Sequence, residues 1–341
     1  MMKITILGSG VVGQATGRGF LSKGHDVTFL DINTILVHQL QREGLQAYEL
    51  TADLSTLESD LIMVCIGTPA CETDREINLN YIKAGMKTVA DLLGNQRGWP
   101  VVVIRSTVPP TTTELILIPL IERYSGLTAG RDFGVCMNPE FLRAKSATED
   151  FAHPWATVVG ELDTASGDVL ASLYESFGGE LYRTPLAEAE FIKYINNLRN
   201  ALVISFSNEM WQFGQTLNIN SNLALNIATT TAESAWNAKY GSTGGFPYGG
   251  TCLPKDTNAL HLFAKQQGID LPLLASVIAV NDEMERLANK DVIPQSQIAG
   301  HNWQPSPALQ NSLPHYTDDL SRPYLSVFKT TLEKPKLGAV S

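Results

Sequence analysis

Met2-Lys3-Ile4-Thr5-Ile6-Leu7-Gly8-Ser9-Gly10-Val11-Val12-Gly13 is an apolar run that ends in three spaced glycines. Met2 to Leu7 reads as a buried parallel strand, the glycines have the spacing GxGxxG, and a helical segment continues through Ser22. In that setting Gly8 makes the tight turn, Gly10 lets the backbone approach a pyrophosphate, and Gly13 packs helix against strand. The amides of Val11, Val12 and Gly13 then face the phosphates of a dinucleotide. A second strand, Val27 to Leu30, ends at Asp31, about twenty residues on, where a carboxylate meets the hydroxyls of an adenosine ribose. An acid there repels a 2′-phosphate, so the pattern points to NAD rather than NADP.

Strands and helices go on alternating. Asp60 to Cys65, Pro100 to Ile104 and Phe133 to Cys136 read as strands, Leu79 to Leu93 and Thr112 to Tyr124 as helices, and together they predict a doubly wound parallel α/β sheet. Ala156 to Gly160 and Leu181 to Tyr182 look like its last strands, with a helix from about Thr164 to Phe177 between them. Ligands of such sheets bind where the strands end. The segments leaving those ends are Gly67-Thr68-Pro69, Ser106-Thr107-Val108-Pro109-Pro110 and Asn138-Pro139-Glu140-Phe141-Leu142-Arg143. The second offers hydroxyls before a rigid turn, and helix capping alone would explain Thr111 to Thr113. The third carries a carboxylate and a guanidinium able to bind substrate or handle protons; an exposed turn is the plainer reading.

From Leu186 the texture becomes all-helical. Ala187 to Thr216 has Phe191, Ile195, Leu198 and Leu202 on one face and Lys193 and Asn197, four apart, on another, where they either reach one small target or form a solvated face. Helical segments follow at Leu223 to Trp236, Thr257 to Gly268 and Leu273 to about Asn289. Between them, glycines at 241, 244 and 245 lead to Tyr248-Gly249-Gly250-Thr251-Cys252-Leu253-Pro254-Lys255-Asp256. Pro254 opens a helix, so Cys252 sits at its N-terminus with Lys255 close by, an arrangement that favours the thiolate; a small buried cysteine in a glycine turn is the alternative. After Val292 the prolines and the sparse apolar residues read as an extended tail. The organisation is a sheet domain over 1–185, a helical domain over 186–292 and a tail over 293–341.

Composition narrows the classes. With 341 residues, 44% hydrophobic and 18% charged, the chain supports one large domain or two ordinary ones. A net charge of -10 without basic runs argues against nucleic acid and anionic membrane as partners. No apolar run has spanning length and no signal peptide opens the chain, which makes the cytoplasm the default. Four scattered cysteines and 6 histidines without ligand spacing predict neither disulfides nor a metal site.

Taken together, GSGVVG with Asp31, STVPP, NPEFLR, EFIKYINN, SNE and GGTCLPKD resemble the UDP-glucose/GDP-mannose 6-dehydrogenase family, in order and approximate spacing over about residues 1 to 290. The resemblance implies NAD-dependent oxidation of the C6 alcohol of a nucleotide sugar to a carboxylate in two steps, without release of the aldehyde. By similarity, Gly8, Gly10, Val11, Val12, Gly13, Asp31, Thr68, Pro69, Ser106 and Thr107 hold the cofactor. Lys193 and Asp256, with a water, manage the alkoxide; Cys252 adds to the aldehyde and forms a thioester; Glu140 serves the hydrolysis; Thr107 and Asn197 bond the reacting oxygen and the water. Phe141, Leu142, Arg143, Lys193, Asn197, Tyr248, Gly249 and Gly250 are the implied substrate contacts, and a homodimer pairing through the long helix is the implied assembly.

The chain also departs from the family pattern. Ala144 stands where members generally carry a second glutamate, Trp236 replaces an arginine sixteen residues before the cysteine, and the C-terminal nucleotide-binding domain has no recognisable counterpart after Val292. These differences fall on substrate binding rather than on hydride transfer. They leave open a nucleotide sugar or a smaller alcohol as substrate, a two-electron dehydrogenase that uses Lys193 and Asn197 without a covalent step, and a degenerate NAD-binding scaffold.

Overall fold

A computed structural model describes residues 1–71, 77–96 and 98–288. The described chain forms two compact units, one from Met1 to Ala201 and one from Leu202 onward. The first of them contains strands β1 (Lys3–Leu7), β2 (Asp26–Asp31), β3 (Gln46–Glu49), β4 (Leu61–Val64), β5 (Val101–Ile104), β6 (Gly134–Met137), β7 (Ala156–Glu161) and β8 (Glu180–Pro185).

 Its helices are α1 (Val11–Ser22), α2 (Thr34–Arg42), α3 (Asn80–Gly94), α4 (Ile118–Ser125), α5 (Ala147–Ala152), α6 (Thr164–Tyr174) and the start of α7 (Leu186–Thr216). The strand order is β3-β2-β1-β4-β5-β6-β7-β8. All pairs are parallel except β6 with β7, which run antiparallel, so that β7 and β8 point the other way.

The central strands are apolar throughout because both faces of the sheet are covered. Their side chains alternate between two cores: Ile62, Val64, Val102 and Ile104 pack on one face with α3 and α4, and Leu61, Met63, Val101 and Val103 on the other with Phe20, Phe151 and Leu170. Two elements in this region are absent from the sequence reading. α2 is capped by the Asn33 side chain, which accepts from the Ile35 and Leu36 amides, and β3 is a four-residue edge strand that buries only Ala47. The hydroxyl-rich Thr111 to Thr113 does not cap a helix either. Thr112 makes no capping bond, and the turn Thr113–Leu117 that leads into α4 is π-helical.

The second unit holds α8 (Ser221–Thr231), α9 (Glu233–Trp236), α10 (Leu253–Gln266) and α11 (Pro272–Ala288). The single helix expected over Leu223 to Trp236 is broken at Ala232, whose backbone is extended. Thr229, Thr230 and Thr231 precede the break, and each donates its hydroxyl back to a carbonyl three or four residues earlier, which weakens the helix there. A small core of Phe213, Ala264 and Leu271 holds the unit, and the buried Glu209 caps α11 by accepting the Leu273 and Leu274 amides at 2.6 and 3.0 Å. Glu209→Ala strands both donors, so a loss of about 2 kcal/mol is expected in urea unfolding, with Glu209→Gln losing less. The tail expected from Val292 lies outside the described residues.

Candidate active site

The three glycines of the first turn have three different environments. Gly8 is at φ +95, where a side chain is strained, and a Cβ there would lie 2.8 Å from the Cys65 carbonyl; at Gly13 it would lie 2.0 Å from the Gly8 oxygen. At Gly10 a Cβ would meet nothing within 4 Å. That open side is the cradle a pyrophosphate needs, and it lies at the start of α1 where the amides are unpaired. Asp31 ends β2 with its carboxylate oriented by two backbone donors, Ser9 N–H at 2.6 Å and Asn33 N–H at 2.8 Å. Each oxygen keeps a lone pair for a ribose hydroxyl. These residues fit a bound dinucleotide.

Two neighbouring loops are tied together beside this turn. The Thr68 hydroxyl donates to the Thr107 carbonyl at 2.6 Å, and the Pro69 carbonyl accepts from Asn78 N–H at 2.7 Å. Ser106 is buried and donates to the Val64 carbonyl, so its hydroxyl fixes the loop.

Beyond β6 the segment Asn138 to Arg143 meets Lys193 of α7. Lys193 is 5% exposed and its ammonium donates to the Glu140 carbonyl at 2.5 Å and to Glu140 Oε1 at 2.7 Å, while Oε2 accepts the Leu142 amide at 2.6 Å. Two of three ammonium donors are committed. Phe141 lies beneath the cation, its ring centroid 5.8 Å from Nζ. Lys193 is therefore no part of a solvated face, whereas Asn197, one turn on, is exposed. Glu140, Phe141, Leu142 and Arg143 also line a cavity of about 770 Å³ that takes in Arg105, Trp155, Tyr182 and Asn196. Arg143 is turned to solvent and pairs with Asp150, whose carboxyl it holds well below the usual range.

In the second unit Cys252 is exposed and is the N-cap residue of α10, with Pro254 in the first turn and Asp256 after it. Lys255, expected beside the thiol, is hydrogen-bonded to Asp256. The approach to the cysteine is held by the buried Asn281, whose side-chain oxygen accepts the Tyr248 amide at 2.6 Å; Gly250 follows at φ +78. Cys65 and Cys136 do not compete as nucleophiles: burial pushes the Cys65 thiol up to about 12 and raises Cys136 as well. Among the described residues no group of side chains could hold a metal ion.

The model of the UDP-glucose/GDP-mannose dehydrogenase family NAD-binding domain matches residues 2–57 and 46–178, and that of its central domain matches 187–283. The chain belongs to this family. It is an NAD-dependent dehydrogenase with a Rossmann domain and a helical central domain. A GDP-mannose 6-dehydrogenase of Pseudomonas syringae is 33% identical over 94% of the chain and 75% of its own length. A UDP-glucose 6-dehydrogenase of Bacillus subtilis is 30% identical over 94% and 74%. Among solved structures, the ternary complex of GDP-mannose dehydrogenase from Pseudomonas aeruginosa superimposes with a TM-score of 0.78 at 30% identity, over 88% of this chain and 72% of that one.

Several residues that support the family's motifs escape a reading of the sequence. Arg105, just after β5, is buried and donates to the Asn138 carbonyl and side chain and to the Tyr174 hydroxyl, while Tyr174 donates to Asn138 at 2.6 Å. Asn138 in turn donates to the Val158 carbonyl at 2.8 Å. This network pins the start of the Glu140 segment. Its members lie far apart in sequence and belong to no shared local pattern, so only the tertiary structure joins them.

Proposed function

We propose that the chain oxidises the C6 alcohol of a UDP- or GDP-hexose to the carboxylate in two NAD-dependent steps through a thioester on Cys252. The observation that carries the reading is Cys252 itself, an exposed thiol at the positive end of α10. The names of the relatives support the choice of substrate class. Bound NAD supplies the hydride acceptor for both oxidations.

In this reading the Asp256 carboxylate, through a water, takes the hydroxyl proton while the Lys193 ammonium donates to and stabilises the alkoxide, and Thr107 and Asn197 bond the reacting oxygen and the water. The Cys252 sulfur then adds to the aldehyde carbon, giving a thiohemiacetal whose oxidation yields the thioester. Water, positioned by Glu140, cleaves the thioester to the carboxylate and restores the thiol. Phe141, Leu142, Arg143, Tyr248, Gly249 and Gly250 hold the sugar. A nucleophilic thiol must stay reduced, which suits the cytoplasm. The test is NADH formed per substrate consumed, with GDP-mannose, UDP-glucose and small primary alcohols: two NADH per acid supports the reading, one NADH per aldehyde supports a two-electron enzyme, and NAD binding without turnover supports a scaffold.

We further propose a homodimer formed through α7. Phe191, Ile195, Leu198, Leu202 and Phe206 are each about half exposed and repeat at helical spacing along one stripe, a surface that water does not favour. Light scattering at micromolar concentration is expected to give a dimer, and Leu198→Glu a monomer with an unchanged circular dichroism spectrum. A wild-type monomer removes this part of the proposal.

A further inference from the structure

Thr107 and Lys193 stand on different elements of the first unit, and one buried side chain joins those elements. Glu190 lies on α7 one turn before Lys193 and is 0% exposed. Its Oε1 accepts the Thr113 amide at 2.8 Å, at the first residue of the π-helical turn. Thr113 is also 0% exposed, so no water can replace that acceptor. The Thr113 side chain and the Thr111 backbone also act on the Glu190 carboxylate, each favouring its charged form.

The segment that Glu190 grips is under strain. Pro109 and Pro110 restrict its backbone, and Thr111 sits at φ +72, a left-handed conformation that is unfavourable for a β-branched residue and persists only where the surroundings impose it. At its other end the segment is held by the Thr68 hydroxyl on the Thr107 carbonyl. Among the described residues Glu190 has no salt-bridge partner, and burial pushes its carboxyl up against the opposing pull of Thr113. A carboxyl without a counter-ion is a poor way to fill a core. Its acceptor oxygen is what this position uses.

We infer that Glu190 is a positioning residue that locks the segment Ser106–Thr113 to the turn of α7 carrying Lys193, so that the loop beside the cofactor turn and the lysine are held in one register. The inference rests on the roles proposed above for Thr107 and Lys193. Glu190→Gln keeps an acceptor of the same reach, Glu190→Asp keeps the carboxyl but shortens it, and Glu190→Ala removes both. Amide hydrogen exchange over residues 105–117 and NAD affinity by calorimetry are the readouts.

The Asp and Ala variants are expected to exchange at least about tenfold faster over 105–117, with β1 and α1 unchanged, and to bind NAD about tenfold more weakly. The Gln variant should match wild type in both. Equal behaviour of Asp and Gln, or faster exchange spread over the whole sheet, overturns the inference by making Glu190 a packing residue. If the Ala variant does not fold, the contrast between Asp and Gln still decides. Wild-type binding of NAD separates the two levels: its absence removes the cofactor role of the loop, whereas its presence with unaltered variants removes only the role of Glu190.

Discussion

Cys252→Ser is expected to cut acid formation at least about 1,000-fold while the first oxidation continues, leaving one NADH and an aldehyde trappable by hydroxylamine. The size of the effect follows from the chemistry of the position. A cysteine sulfur is intrinsically a strong nucleophile, whereas a serine hydroxyl in the same place needs a base to activate it. Cys252 is exposed at the start of α10, and its near neighbours Lys255 and Asp256 are committed to one another. The measurement is single-turnover product analysis beside NADH stoichiometry. Acid produced at the wild-type rate by the serine variant rules out a covalent step on this residue.

Lys193→Met should lower kcat by about 100- to 1,000-fold, the range expected for removing a donor that stabilises charge developing on the reacting oxygen. The substitution also leaves the Glu140 carboxylate, only 14% exposed, without its partner at 2.7 Å, and a stability loss of up to about 3 kcal/mol is expected from that source. The double variant Lys193→Met with Glu140→Gln separates the two effects. Urea midpoints should recover in the double variant because the unpaired charge is gone, while the first hydride transfer, a step in which Glu140 has no proposed role, should stay slow in single-turnover measurements. Recovery of the first hydride transfer with stability would reduce Lys193 to a structural ion-pair partner.

Much of the first unit is legible because its decisive signals are local. The glycine spacing, the strand before it and Asp31 lie within the first thirty-one residues, and the structure puts each into its own environment. The central strands declare themselves by being apolar on both faces. β3 does not, because an edge strand that buries only Ala47 carries no alternation to read, and α2 hides in a segment whose clearest sign is the capping Asn33. Lys193 stands out by its spacing from Asn197, but its burial against Glu140 depends on a segment some fifty residues earlier. The roles of Arg105, Tyr174 and Glu190 are invisible in the sequence for the same reason. Their work is done on backbone groups distant in sequence, and no local pattern requires those residue types.

The reversal of direction at β7 bears on how the family can change. Because β7 runs against β6, its entry loop, rather than its exit, arrives on the side of the sheet where Glu140 emerges, and Pro154 and Trp155 of that loop line the cavity. This rim is built by a connection that carries no glycine turn and no Asp31. In the function proposed above, variation there reshapes what the cavity admits while the dinucleotide turn stays untouched, giving selection two separable dials, one for the oxidant and one for the molecule oxidised.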